Sequence, residues 1–293
     1  MNLALTVLEI VAPVFALAAI GFTWVKLGFE YPMAFVTRLA MTLAIPCLIF
    51  VALMETEIEP AALSKITLAA IATYAVLTVA MLALVKLGRL DTQTWVAPMV
   101  MSNTGNIGLP LAFFAFGDAG LSYAVAVFAV STVYAFTIGI WFVSRTSNPL
   151  DLIREPMVVA TLLGAFFLVQ GWKTPDVVTN TLSLIGQLGI PLMLITLGVA
   201  IARISPSKLG RAGALAALKL GICAGVAVGV GLYFQLPSVA FGILVLQFSA
   251  PAAVTSYLIA EKYKADAQAV AGLVVVTTAV SVVTLPLILA LVL

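Results

Sequence analysis

The sequence predicts an all-α membrane protein whose ten transmembrane helices form two inverted repeats of five helices each. Three observations support this fold class. First, 63% of the 293 residues are hydrophobic and only 9% are charged, whereas soluble domains are about 45–50% apolar and about 25% charged. Second, the apolar residues fall into ten runs of roughly membrane-spanning length. Third, the two halves of the sequence resemble each other at a nearly constant offset.

The composition also excludes several classes of protein. The formal net charge of +2 is too close to zero for a nucleic-acid-binding surface, so no nucleic acid partner is expected. The sequence has no histidine, the commonest metal ligand and general base. A metal cluster or a nucleophile–base pair therefore cannot be assembled within the membrane, and we expect no enzyme activity, metal or cofactor. Cys47 and Cys223 lie in apolar runs and indicate no disulfide framework.

Charged residues, prolines and glycines set the boundaries of the spans. The first run has no basic residue before it, so we expect it to be retained as a span rather than cleaved as a signal peptide. The sixth run is the shortest. The predicted spans cover 3–25, 33–53, 63–88, 94–117, 119–143, 156–171, 178–202, 209–234, 238–260 and 268–291.

Basic residues predict the orientation of these spans. Eleven of the 14 Lys and Arg residues fall in alternate loops, which the positive-inside rule places in the cytoplasm. Both termini then lie outside the cell (inner) membrane, and Glu55, Glu57 and Glu59 lie in an outer loop. The cytoplasmic cations are Lys26, Arg38, Lys86, Arg89, Arg145, Arg154, Arg203, Lys208, Arg211, Lys262 and Lys264.

The internal repeat has an offset near 145 residues. Pro46 corresponds to Pro191 within similar Leu-x-Ile-Pro segments, and residues 124–130 resemble residues 269–275. Because five is odd, the second repeat enters the membrane in the opposite sense to the first, as in many secondary transporters. The repeats cover 1–145 and 156–293, joined by a short cytoplasmic linker over 146–155.

Two corresponding spans, the fourth and the ninth, carry helix-breaking and polar residues near mid-bilayer depth. Glycines in the fourth span lower the cost of unwinding, and Pro251 in the ninth cannot donate a backbone hydrogen bond. Freed backbone groups cannot face lipid, so we expect them to be buried in protein or to line a wet cavity. A kinked but continuous helix is the alternative for either segment alone, but the related pair favours a binding site. The repeat offset aligns Asn103 with Phe248 and Asn106 with Pro251.

The expected ligand of this site is a small organic anion. Half-helix N-termini each carry about half a positive charge, and backbone N–H groups with side-chain amides can hold a carboxylate. The aromatic side chains of Phe15, Phe50, Phe113 and Phe114 suit a monoanion with an apolar body. The expected substrate-binding residues are Asn103, Thr104, Gly105, Asn106, Gln247, Ser249 and Pro251.

Lys219 lies about ten residues into the eighth span, roughly 15 Å deep. A buried lysine in a membrane is costly and marks a functional site. We expect it to face the interrupted helices and to balance helix C-terminal dipoles or substrate charge, in the place of a coupling cation. The alternative is a snorkelling or structural lysine bonded to backbone carbonyls. Gly221, Gly225 and Gly229 are interpreted as a close-packing face of the same helix.

These residues resemble the auxin efflux carrier family, and we expect a bacterial member. The plant members are the PIN-formed auxin carriers, which share an inverted-repeat superfamily with the bile-acid sodium symporters. The similarity runs essentially end to end. Its motifs are Asn103-Thr104, Gly108 and Pro110 in the fourth span, Gln247, Pro251, Ala260, Tyr263 and Leu285-Pro286 towards the C-terminus, and Arg38, Pro46 and Phe50 in the second span.

The resemblance implies a scaffold domain of spans 1, 2, 6 and 7, and a transport domain in which the broken spans 4 and 9 cross. Asn103 and the backbone near Asn106 and Pro251 would contact the carboxylate of an organic anion. Such anions are auxin in plants, and malonate or other small carboxylates in bacteria. This sequence departs from the plant pattern in having Ser102 in place of a proline and in lacking the long loop between the halves. Auxin is therefore not favoured as the physiological substrate.

The sequence thus predicts a secondary transporter of small organic anions that works by elevator-type alternating access. Pro46 and Pro191 are expected to kink spans 2 and 7 where these contact each other. No nucleotide-binding motif is present, so an ion or substrate gradient must drive transport, and Na⁺ and H⁺ are the candidate coupling ions if transport is coupled. The alternatives are a sodium-coupled symporter of the bile-acid type and a channel. The partners are the anion and the lipid bilayer, and the sequence leaves open a homodimer.

Overall fold

A computed structural model describes residues 3–144, 156–203 and 209–293, and all regular secondary structure in these ranges is helical. The predicted linker and Arg145, Arg154 and Lys208 lie outside the described residues. The α-helices are α1 (Leu3–Lys26), α2 (Met33–Leu39), α3 (Ile45–Met54), α4 (Pro60–Leu87), α5 (Thr92–Val100), α6 (Leu109–Tyr134), α7 (Ile140–Ser144), α8 (Pro156–Gln170), α9 (Asp176–Gln187), α10 (Gly189–Arg203), α11 (Leu209–Tyr233), α12 (Ser238–Ser249), α13 (Val254–Lys262) and α14 (Ala267–Val292). Three π-helical turns cover Ala40–Ala44, Thr104–Gly108 and Ala135–Gly139.

Seven helical stretches in the described ranges are long and apolar enough to cross a membrane. One of them, Thr104–Ser144, is 41 residues long and contains the second part of the fourth predicted span and the whole of the fifth. They are separated at Gly117, whose φ of 62° and ψ of −151° are not helical. Two further apolar helices, Pro156–Gln170 and Ser238–Ser249, are shorter than a full span. The count is therefore lower than the predicted ten because some predicted spans are merged, short or interrupted.

Helices α1 and α10 approach each other closely at two glycines. A Cβ atom on Gly198 of α10 would collide with the carbonyl group of Ala18 in α1. A Cβ atom on Gly21 of α1 would collide with the carbonyl oxygen of Ile195 in α10. Only glycine permits such a backbone separation, so these residues fix the position of α1 against α10.

A similar contact joins α8 and α9 to α3. A Cβ atom on Gly164 of α8 would lie 2.9 Å from the Cβ atom of Leu53, and one on Gly186 of α9 would lie 3.0 Å from the backbone of Leu48. Helices α1, α3, α8, α9 and α10 therefore pack into one group. The second group contains α4, α5, α6 and α11–α14, and α6 and α14 also contact the first group.

The glycines of α11 do not form the close-packing face that the sequence suggested. Cβ atoms on Gly221, Gly225 and Gly229 would meet nothing within 4 Å, and all three residues are exposed on the protein surface. The buried stripe of α11 contains Lys219 and Cys223 instead. The earlier interpretation is wrong because the glycine positions are offset by two residues from this stripe, which places them on the opposite side of an α-helix.

Candidate functional site

The fourth predicted span is interrupted immediately after α5. This helix ends at Val100, and a π-helical turn begins at Thr104 and leads into α6. Asn103 caps the turn, because its side-chain Oδ1 accepts a hydrogen bond from the backbone N–H of Asn106 at 3.2 Å. Asparagine is among the residues that best satisfy the free N–H groups at a helix start, so the sequence begins a new helical segment here.

The ninth predicted span is interrupted between α12 and α13. Helix α12 ends at Ser249, where Ala250 adopts an extended conformation with ψ of 151°, and α13 begins at Val254. Proline restricts the preceding residue to extended conformations and itself has no N–H to continue a helix. Pro251 therefore accounts for the end of α12 at this point.

The two extended segments cross and pair with each other. Ser102 and Ala252 form an isolated antiparallel β-bridge. Backbone hydrogen bonds flank the bridge, from the N–H of Asn103 to the carbonyl of Pro251 at 2.7 Å and from the N–H of Ala253 to the carbonyl of Met101 at 3.0 Å. Each segment thus satisfies polar groups that the other helix break has freed, which explains how two breaks are tolerated in so apolar a protein.

The bridged residues are not related by the repeat offset. Ser102 and Ala252 are 150 residues apart, whereas the sequence repeat has an offset near 145, and Phe248, which aligns with Asn103, lies inside α12. Helix α12 has 12 residues and α5 has 9, which accounts for three of the five residues of difference, and the other two lie outside these helices. The apolar spans keep the offset of 145, but the lengths of the first half-helices differ and shift the alignment at the crossing.

Four helix ends meet at this crossing. Helices α5 and α12 end just before the paired segments, and the Thr104–Gly108 turn and α13 begin just after them. A helix N-terminus carries about half a positive charge and a C-terminus about half a negative charge. The crossing therefore offers one place for an anion and another for a cation.

Three of the predicted site residues bring polar atoms to the crossing that have no hydrogen-bond partner among the described residues. These atoms are Nδ2 of Asn103, both amide atoms of Gln247, and the Oγ of Ser249. Gln247 is fully buried, and its amide lies against Gly108, where a Cβ atom would collide with it. Buried polar groups are normally paired, so a set of unpaired ones at a single location indicates a place for a ligand or for water.

The other predicted residues are already engaged in protein contacts. The hydroxyl of Thr104 donates to Ser131 Oγ at 3.0 Å, and Pro251 offers only a carbonyl, which already accepts a hydrogen bond from Asn103. A Cβ atom on Gly105 would lie 3.0 Å from the ring of Phe128, so this glycine allows close packing. Asn106 is half-buried, and its backbone N–H donates a hydrogen bond to Asn103 Oδ1.

Lys219 is fully buried and reaches the crossing. Its Nζ donates to Ser102 Oγ at 3.0 Å and lies 3.8 Å from Cys223 Sγ. The Ser102 hydroxyl in turn donates to the carbonyl of Phe248, one residue before the end of α12. Lys219 thus faces the interrupted helices, at the ends where carbonyl groups are free, and does not snorkel to the surface.

Sequence reasoning missed the hydroxyl groups that support the crossing. Ser131 holds Thr104, and the hydroxyl of Thr277 in α14 accepts a hydrogen bond from the N–H of Ala252 at 3.0 Å. Thr277 corresponds to Thr132 at the repeat offset of 145, and Ser131 precedes Thr132. The sequence feature that could have identified these residues is the recurrence of Ser and Thr at the repeat offset within apolar spans.

A cleft of about 890 Å³ separates the two groups of helices. Leu48 and Pro191 line it on one side and Phe113 and Phe114 on the other. Charged residues at its mouth are Glu55, Glu57, Asp118 and Lys173. Its lining includes two of the aromatic residues expected near the ligand, but none of the seven predicted substrate contacts.

The two predicted kink residues each follow an irregular turn. Pro46 is the second residue of α3, directly after the π-helical turn Ala40–Ala44. Pro191 lies at the start of α10, after the break at Leu188 that separates α9 from α10. Each predicted kink residue thus lies next to a local irregularity of its helical stretch, and α3 and α9 pack together.

No group of three or more His, Cys, Asp or Glu residues in the described part of the chain could hold a metal ion. Both cysteines are free thiols. The crossing therefore works with amides, hydroxyls, backbone groups and a single ammonium.

The chain matches the model of a family described as "Membrane transport protein" over residues 6–147 and 140–289. It is 26% identical over 292 residues to an uncharacterized transporter of Methanothermobacter thermautotrophicus, covering 95% of this chain and 96% of the relative. It is 23% identical over 211 residues to an uncharacterized transporter of Methanocaldococcus jannaschii, covering 64% of each chain.

Proposed function

The chain belongs to the membrane transport protein family, and from this premise we propose that it is a secondary transporter of small organic anions. The resemblance to auxin efflux carriers in the sequence is confirmed by this family, and both archaeal relatives are named as transporters. The chain is a multi-pass membrane protein. The proposal adds the substrate class, the binding site and the mode of transport.

The single observation that carries the proposal is the pairing of two broken helices beside unpaired buried donors. The half-helix N-termini that follow the crossing favour a negative charge. Nδ2 of Asn103 and Nε2 of Gln247 are N–H donors without a partner among the described residues, and the Ser249 hydroxyl is a third unpaired group. A carboxylate has two acceptor oxygens and suits this set of donors. Asn103, Gln247 and Ser249 are therefore the proposed carboxylate contacts.

The apolar surroundings favour a monoanion with an apolar body. The helices that meet at the crossing are largely aliphatic and aromatic, and α6, which follows the Thr104–Gly108 turn, also carries Phe113 and Phe114. Ligand sites of this kind combine an apolar lining with a few polar groups that fix the orientation. A monocarboxylate with a hydrocarbon or aromatic group, such as an auxin-like acid, fits that description.

The division into two helix groups is the basis on which we propose elevator-type alternating access. Gly21 packs against Ile195 in α10, and Gly164 packs against Leu53 in α3, so corresponding glycines of the two halves make corresponding contacts. These contacts belong to the group of α1, α3, α8, α9 and α10, which we propose as the scaffold. The second group holds the crossing and would move as the transport domain, in two inverted repeats of five spans.

We further propose an orientation with both termini outside the cytoplasmic membrane, which follows from the positive-inside rule. The mouth of the cleft, with Glu55 and Lys173, then faces outwards. The coupling ion is considered in the next subsection. Lys219 would serve as the charge-balancing group on the carbonyl side of the crossing.

Binding and transport of two aromatic monocarboxylates test this function. Benzoate and indole-3-acetate are expected to raise the melting temperature of the purified protein and to enter proteoliposomes saturably. Asn103→Asp keeps the cap acceptor for Asn106 but replaces the free N–H₂ with a negative oxygen, so we expect at least about tenfold weaker binding. Asn180→Asp, at an exposed position of α9, is the matched control and should bind as the wild type does.

Equal binding by the Asn103→Asp and Asn180→Asp variants would contradict the proposed site. Uptake that does not saturate and shows no stimulation by anion on the opposite side would indicate a channel. Replacing sodium with choline distinguishes the proposed transporter from the sodium-coupled alternative, because a bile-acid-type symporter would then lose transport.

A further inference from the structure

Lys219 is a buried lysine, and its hydrogen-bond partners among the described residues are all neutral. Its two polar neighbours are the hydroxyl of Ser102 at 3.0 Å and the thiol of Cys223 at 3.8 Å. The side chain has no solvent exposure. A buried ammonium is normally paired with a carboxylate, because leaving it unpaired in an apolar interior is costly.

The helices around Lys219 bring no such carboxylate. Helix α11 packs against α4, α5, α12 and α14, all of which are fully described. Helices α5, α12 and α14 contain no Asp, Glu, Lys or Arg at all. Helix α4 contains only Lys65 and Lys86 near its ends, and Tyr74 in its middle. Apart from Lys219, the titratable groups facing this location are therefore the phenol of Tyr74 and the thiol of Cys223.

The nearest carboxylates along these elements are too distant to pair with Lys219. They are Asp91 and Asp266, which cap the N-terminal ends of α5 and α14. Asp91 precedes Ser102 by 11 residues, and Asp266 precedes Thr277 by 11 residues. At 1.5 Å per helical residue each carboxylate lies roughly 15 Å from the crossing.

The charges of the crossing balance when a charged Lys219 and a bound anion are both present, and also when Lys219 is neutral and no anion is bound. The two helix C-termini near Lys219 and the two N-termini beyond the bridge carry about half a charge each, of opposite sign, and cancel one another. A charged Lys219 then leaves one uncompensated positive charge in the interior. A bound monoanion near Asn103 would cancel that charge.

We propose that Lys219 is the site of a coupled proton, which it binds together with the substrate anion and releases together with it. This inference rests on the proposed function and adds the coupling ion to it. The proton comes from water on the side where the anion enters and binds to the free amine of Lys219. It leaves to water on the side where the anion is released. The carrier thus moves one proton with each monoanion, and the net transport carries no charge.

Thermodynamic linkage gives the sign of the effect. The anion stabilises the charged form of Lys219, so the lysine holds its proton to a higher pH in the complex than in the empty carrier. Affinity for the anion is then fully present at low pH and falls as the pH rises through the range in which the empty carrier loses that proton. In this range, binding takes up a proton from the solution.

Calorimetric titration with benzoate tests the proposal, in pairs of buffers with different ionisation enthalpies at each pH from about 6 to about 10. Benzoate remains ionised throughout, so any uptake belongs to the protein. The wild type should take up a proton fraction that rises towards about one with pH, while its affinity falls by up to about tenfold per pH unit. Lys219→Met should take up none, and its affinity should not change with pH in this way.

Two further variants separate Lys219 from its titratable neighbours. Cys223→Ala and Tyr74→Phe remove the other two groups, and proton uptake should persist in both. Lys219→Arg keeps a permanent charge, so it should bind benzoate without uptake, and it provides the comparison if Lys219→Met does not fold.

The outcomes are distinguishable. No benzoate binding by the wild type at any pH would overturn the proposed anion site itself, and with it this inference. Binding without proton uptake across the whole range would overturn the proton site but leave the anion site standing. Undiminished uptake in Lys219→Met, or its loss in Cys223→Ala alone, would assign the proton to another group and would likewise overturn the proposal.

Discussion

The contact of α1 with α10 and the crossing of the two broken spans are both close approaches of backbones, but they are built on opposite principles. At the first, Gly198 and Gly21 let two intact helices touch, and every backbone group in the contact stays within its own helix. At the second, the helices are broken, and their freed groups bond across the gap at 2.7 and 3.0 Å. Unpaired amide atoms of Asn103 and Gln247 remain beside it.

This difference separates structural from functional requirements. Polar groups that are buried without partners lower the free energy of unfolding. A protein retains them where a bound ligand supplies the missing hydrogen-bond partners. The glycine contact has no such groups and is optimised for packing alone. Substitutions at the two places should therefore change stability in opposite directions.

The largest effect is expected at the glycine contact. Gly198→Ala places a methyl group against the Ala18 carbonyl and within 2.8 Å of the Phe22 backbone nitrogen, so α1 must move away from α10. We expect the free energy of unfolding to fall by about 2–3 kcal/mol. Gly225→Ala is the matched control, because its new Cβ would meet nothing within 4 Å, and the higher helix propensity of alanine should slightly stabilise it. Melting temperatures in detergent would measure the stability of both variants. Equal melting temperatures would contradict the expected difference between the packed and the open glycine position.

A smaller effect of the opposite sign is expected at the crossing. Gln247→Met keeps the length of the side chain but removes two buried polar atoms without partners. We expect the free energy of unfolding to rise by about 1 kcal/mol and benzoate binding to weaken by at least about tenfold. Thermal unfolding with and without benzoate would measure both quantities together. A less stable variant that still binds benzoate would show that Gln247 serves packing rather than recognition.

The smallest effect is expected at a residue that supports the crossing without facing the ligand. Ser131→Ala removes the acceptor of the Thr104 hydroxyl, at 3.0 Å in the wild type. Losing this hydrogen bond should cost about 1 kcal/mol of stability, while benzoate affinity should change less than about threefold. If benzoate affinity fell as strongly as in Gln247→Met, Ser131 would belong to the ligand site, and its role would not be limited to supporting the crossing.

Much of the helical framework was predictable from the sequence, because in lipid every backbone group must be satisfied within a helix. The break at Gly117 between the fourth and fifth predicted spans lies where the sequence indicated it. The interruptions before Thr104 and Val254 were equally predictable from the sequence, because helix capping and the effects of proline depend on neighbouring residues. The glycines of α11 were misread because spacing alone does not tell which side of a helix faces protein.

What the sequence by itself determined is where the chain can be helical and where it cannot, since those preferences arise within a few neighbouring residues. The tertiary structure alone decided that Ser102 pairs with Ala252, because the pairing depends on where two helices from different repeats end and cross. It also decided that Lys219 reaches Ser102, 117 positions away in the chain. Such contacts depend on how rigid helices pack, and no local preference encodes them.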